Sequence, residues 1–145
     1  MFVVDTNILL YAVNPDSREH KQAREALHEW RNGPRSWFLT WGIVYEFLRV
    51  STHPAVFPSP LTLAQARNWI AALLSARNAA ILAESERHSE ALLEVCMLHP
   101  RLAGNVVHDL HTAVLMKEHG VSEIRTADTD FHQFKFLKVV NPLTQ

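Results

Sequence analysis

The chain has 145 residues, 48% of them hydrophobic, and a formal net charge of −1 with its histidines neutral. That length and apolar share suit one ordinary domain with a real core, residues 1–145, and the near-zero charge excludes the global basic field that marks general nucleic-acid binding. The single cysteine excludes an internal disulfide, no apolar run reaches the roughly 18 residues of a membrane span, and Asp5 interrupts the first apolar stretch, so a soluble cytoplasmic protein is expected.

Taken in chain order, Val3 and Val4 read as a short buried strand and Ile8 to Val13 as a brief helix stopped by "NPDS". A longer helix fits Arg18 to Trp30, with Ala23, Ala26, Leu27 and Trp30 on one stripe. "SWFLT" predicts a second strand, and Trp41 to Val50 a helix in which Glu46 is a lone acid among apolar residues. After the proline-rich "STHPAVFPSP", Thr62 is placed to cap a helix over Leu63 to Ala76, and "AAILA" reads as a third strand. Glu86 to Leu98 then forms a helix with Ala91, Leu92, Val95 and Cys96 inward, the cysteine acting as a small core residue. A helix over Asn105 to His119 is closed by Gly120, and "SEIRTA" and "FLKVV" supply the last strands. Strands alternating with helices predict an α/β fold, a parallel sheet of four to five strands with helices on both faces.

Sites in such sheets form outside the carboxyl ends of the strands, so acids at those ends carry the most information. Asp5 ends the first strand, Glu46 lies in the helix after the second, Asp109 lies early in the helix before the fourth, and Asp128 follows the fourth in "RTADTDF". Burying an unpaired charge costs several kcal/mol, roughly, and clustered carboxylates repel one another unless a divalent cation supplies the missing charge. Oxygen-only ligands favour Mg²⁺ or Mn²⁺ over zinc. A cation of this kind makes water a usable nucleophile near neutral pH, which points to phosphodiester hydrolysis.

Each of these residues also has a plainer role open to it. Asp5 can cap a helix, Glu46 can pair with Arg49, and Asp109 can complement the positive end of its helix. Asp130, with Gln133 three residues on, resembles a capping box, so Asp128 is the favoured ligand and Asp130 a cap or a supporting neighbour. His108 and His111 stand one helical turn apart, but no cysteine or further histidine completes a zinc set with them, so surface or packing roles are favoured for them. Trp30 and Trp69 are expected in the core; Trp37 and Trp41 flank a strand, with Trp41 and Arg49 the candidates for RNA contact.

The stretches "VVDTNILLYAV", "YEFLRV", "GNVVHDLHTAVLMKEHGV" and "TADTDF", in this order, resemble the PIN-domain family and within it the VapC-type toxins of bacterial toxin–antitoxin pairs. The resemblance implies a metal-dependent endoribonuclease that uses Mg²⁺ or Mn²⁺. Its acidic quartet maps onto Asp5, Glu46, Asp109 and Asp128, with Thr6, Asn7 and Thr126 as nearby polar groups. It also implies an RNA substrate, a cognate VapB-type antitoxin and a toxin homodimer. The competing readings are a phosphatase with Asp5 as nucleophile, which Asn7 in place of a second aspartate disfavours, and a non-catalytic metal-binding module that serves partner recognition.

Overall fold

The computed structural model describes residues 1–144. Five strands form one parallel sheet: β1 (Phe2–Val4), β2 (Trp37–Thr40), β3 (Ala79–Leu82), β4 (Glu123–Arg125) and β5 (Lys138–Val140), in the order β3-β2-β1-β4-β5. Short, almost wholly apolar strands such as "FVV", buried along their length, are what a sheet covered on both faces requires. Six helices connect them: α1 (Thr6–Val13), α2 (His20–Asn32), α3 (Trp41–Ser51), α4 (Leu63–Leu74), α5 (His88–Leu98) and α6 (Val106–Glu118). A 3₁₀ turn covers Asp130–Gln133. Helices α1 to α4 accompany the outward run from β1 to β3, with α1 packed on α2 and α3 and α3 on α4, and α5 and α6, packed on each other, carry the chain back across to β4.

That return makes the junction of β1 and β4 the switch point of the sheet, where crevices open in folds of this kind. The core runs through it: Val3, Val4, Ile8, Leu39, Phe47, Val114, Leu115 and Ile124 are buried. Local chemistry sets the helix ends. The Thr40 hydroxyl accepts from the Ile43 N–H and starts α3, and Thr62 and Gln65 form a reciprocal capping box at α4. At the far end of α6, Gly120 takes φ 67°, with Gly120 N–H donating to Lys117 O and Val121 N–H to Met116 O. This reversal favours glycine because a Cβ penalises the left-handed region.

Several boundaries and faces differ from expectation. Helix α2 starts at His20 rather than Arg18, because the Ser17 hydroxyl accepts from the Glu19 N–H and holds a turn there. Cys96 and Leu92 are exposed rather than inward, and only Ala91 and Val95 of α5 reach the core. Trp69 is partly buried, stacked on Phe47 at 4.9 Å between centroids. Trp37 opens β2 fully buried, so of the strand-flanking pair only Trp41 faces solvent. The capping box proposed at Asp130 does not form; the carboxylate that accepts there is Asp128 Oδ1, from the Asp130 N–H at 2.9 Å.

Candidate metal centre

Asp5 follows β1 directly, and its N–H still donates to Arg125 O of β4. The strand pairing therefore fixes where the carboxylate starts, and its oxygens are held individually. Oδ1 accepts from the Thr6 N–H at 2.7 Å and caps α1; Oδ2 accepts from Asn7 Nδ2 and the Thr126 hydroxyl, both at 2.7 Å. Thr126, the residue after β4, is itself buried, and its hydroxyl oxygen also accepts from Asn7 Nδ2 and the Asp128 N–H at 2.9 Å each. Asn7 Oδ1 accepts from the Ala127 N–H at 3.1 Å. Two strand ends and one helix start are thus stitched together around one carboxylate; Oδ2 accepts two hydrogen bonds, while Oδ1 accepts one and keeps a further lone pair for a cation.

The remaining acids reach this carboxylate from α3, α6 and the loop after β4. Asp5, Glu46 and Asp109 line one cleft of about 300 Å³, with Gly42, Ile43, Tyr45, Arg49, His108, His111 and Thr112 completing its wall. Glu46 Oε2 accepts from the Thr6 hydroxyl at 2.9 Å, which ties α3 to the start of α1. Its contact with Arg49 is long, 3.9 Å, between side chains that are largely exposed, and neutralises little. Asp128 stands exposed at the rim, outside the lining of the cleft, and Asp130 is exposed beside it.

Electrostatics shows how far the acids converge. Burial pushes the Asp5 carboxyl up to about 6, hydrogen bonds from Thr126 and Thr6 pull the other way, and repulsion from Glu46 and Asp128 adds to the rise. Burial, then the charges of Asp5, Asp128, Asp130 and Glu46, push Asp109 up to about 7. Asp109 therefore feels every other acid of the proposed quartet. Among the described residues, no lysine lines the cleft and Arg49 is the one arginine there. An all-oxygen donor set with an uncompensated negative charge fits a hard divalent cation, whose binding returns the carboxyls to the ionised state.

All four predicted acids and the polar trio Thr6, Asn7 and Thr126 come together at this end of the sheet. Sequence reasoning missed Gly42, Tyr45 and Thr112. The signal for Gly42 was available in part, as a glycine in the first turn of a helix: a Cβ built there would lie 3.2 Å from His111 Nδ1. Also missed was the company of His111, whose Nε2 lies 2.8 Å from Glu84 Oε1 just past β3.

The family model of the PIN domain matches residues 2–137. Ribonuclease VapC37 of Mycobacterium tuberculosis is 32% identical over 142 residues, which cover 98% of this chain and 97% of that protein. Among solved structures, M. tuberculosis VapC20, a sarcin–ricin loop cleaving toxin, superposes with a TM-score of 0.66 at 17% identity over 94% of this chain and 97% of that one. A toxin–antitoxin complex from Klebsiella pneumoniae gives a TM-score of 0.59 at 21% identity, covering 98% of each chain.

Proposed function

Because the chain belongs to the PIN-domain family, we propose that it is an endoribonuclease, the toxin of a type II toxin–antitoxin pair, hydrolysing RNA phosphodiesters at the acid cluster with Mg²⁺ or Mn²⁺. The observation that carries this reading is the convergence of Asp5, Glu46 and Asp109 on one cleft, with Asp128 at its rim and no compensating lysine among the described residues that line it. The full-length likeness to a protein named as a ribonuclease supplies the reaction class.

Asp5, Asp109, Glu46 and Asp128 would hold the cation. When bound, it supplies the positive charge that polarises a phosphate and activates water near neutral pH. The chain's own groups prepare for it. Thr6, Asn7 and Thr126 fix the Asp5 carboxylate with one lone pair of Oδ1 left for the cation, and Asp109 would give up a proton on its binding. Arg49 on the cleft wall is placed to contact the RNA backbone. Tyr45 and Trp41, 69% and 50% exposed on the first turns of α3, offer faces on which an unpaired base stacks.

A VapB-type antitoxin and a toxin homodimer belong to the same reading. Leu93, Met97 and Leu98 of α5 are 61%, 73% and 62% exposed, an apolar stripe suited to a partner surface. The test is cleavage of defined tRNA and rRNA stem-loops by the purified, partner-free protein in Mg²⁺ or Mn²⁺. Discrete cuts that disappear with EDTA and in Asp109→Asn are expected; cutting that survives both would sink the assignment.

A further inference from the structure

At the same end of the sheet, a second set of ligating side chains converges that the acid cluster does not use. Glu84 lies just past β3, His88 opens α5 and His111 sits in the middle of α6. One carboxylate oxygen of Glu84 and one ring nitrogen from each histidine all lie within 4.8 Å of one another. The two imidazoles meet edge to face, with centroids 5.9 Å apart. His111 Nε2 and Glu84 Oε1 share a proton at 2.8 Å, the kind of contact that a cation replaces.

Behind His88 stands a carboxylate that does not face solvent. The Glu118 side chain, at the end of α6, is 1% exposed, and its Oε2 lies 2.7 Å from His88 Nδ1. Its Oε1 accepts from the Ser85 N–H at 2.6 Å and from the Ser85 hydroxyl. Burial works against ionisation of Glu118, but these bonds from Ser85 and His88 outweigh it and hold the carboxyl at about 2. An ionised carboxylate can only accept, so His88 must donate through Nδ1, and in the neutral ring the free lone pair sits on Nε2. A buried carboxylate that fixes a histidine tautomer in this way is the usual support behind a metal-ligating imidazole.

We propose that Glu84, His88 and His111 form a second cation site, distinct from the acid cluster, for a borderline divalent transition metal of the zinc, cobalt or nickel type. Two nitrogens and one carboxylate are a zinc-type ligand set that leaves a fourth position open. The nitrogen donors separate it from the all-oxygen cluster, which suits Mg²⁺ or Mn²⁺. Glu118 is a positioning residue, acting through His88. Through His111 the site adjoins the cleft that holds Asp109. The inference stands apart from the nuclease reading, since it concerns metal affinity and not turnover.

The test is titration of the purified full chain with Co²⁺ followed by visible absorption, and with Zn²⁺ by calorimetry. One equivalent is expected to give the d–d bands of a nitrogen-bearing site, equally in wild type and in Asp109→Asn. Glu84→Gln, an exposed change that leaves packing alone, should weaken Co²⁺ roughly tenfold or more, as should His88→Gln; both should leave Mn²⁺ affinity unchanged. Glu118→Gln should weaken Co²⁺ by about tenfold although no ligand is removed. Absence of the bands, or bands lost in Asp109→Asn and untouched in Glu84→Gln, would overturn the proposal and leave two imidazole–carboxylate hydrogen bonds only.

Discussion

Asp5 performs two jobs with one carboxylate, and substitution can separate them. Oδ1 caps α1 while the residue lines the cleft, and asparagine caps a helix about as well as aspartate does. Asp5→Asn should therefore keep the cap but set an amide nitrogen where Oδ2 accepts from Asn7 and Thr126, costing about 1–3 kcal/mol and losing cleavage and Mn²⁺ binding, whereas Asp5→Ala should lose the cap as well; calorimetry beside an RNA cleavage assay checks this. Thr126 is the more telling neighbour, since its buried hydroxyl takes part in three hydrogen bonds, to Asp5, Asn7 and Asp128. Thr126→Val keeps the shape and removes that junction. We expect a loss of about 1–3 kcal/mol in chemical denaturation and roughly tenfold or more in metal affinity, with Thr126→Ser restoring most of the affinity. The four acids and this polar trio were legible in the sequence because each sits one to a few residues from a strand end or a helix start. Tyr45 and Thr112 were not, since only packing decides which face of an apolar helix meets a cleft.

Among the elements, α3 and α6 present the acids that are not fixed by a strand end. Helix α3 is held at its start by the Thr40 hydroxyl on the Ile43 N–H at 3.1 Å. Thr40→Ala should cost about 1 kcal/mol, read as a drop of a few degrees in melting temperature, and should lower cleavage by letting Glu46 drift. Helix α5 shows where periodicity fails. Its apolar residues lie nearly all round the helix, so the sequence cannot say which stripe faces the core, and Leu92 and Cys96 turned outward while Ala91 and Val95 turned in. Strands and most helix spans were legible to within a turn, because Gly, Pro and capping residues punctuate them. The turn at Ser17 to Glu19 that delays α2 was not, since it rests on a side-chain bond that no periodicity reports.

For the molecule as a whole, gathered acids make stability depend on pH and on the cation together. Asp5 and Asp109 have folded values of about 6 and about 7 against 3.8 for an unperturbed aspartate, so the native state holds more protons than the unfolded chain across that window. Stability of the metal-free protein should then fall as pH rises from about 4 to about 7, the opposite of the usual carboxylate case. Scanning calorimetry at several pH values should show this slope flattened in Asp109→Asn and the gain from Mn²⁺ growing toward alkaline pH; a metal-free protein that grows steadily more stable from pH 5 to pH 8 would contradict it. The strand order and the meeting of Glu84 with His88 and His111 were beyond the sequence, because both arise when α5 and α6 carry the chain back across the sheet. Viewed through isotope exchange, the stitching around Asp5 has one more consequence. The amides of Thr6, Ala127 and Asp128 donate to the side chains of Asp5, Asn7 and Thr126 and not to the backbone ladder. Their deuterium uptake should slow when the cation enters and quicken in Thr126→Val, while amides deep in the sheet keep a common rate, so three protons report the state of the centre from within.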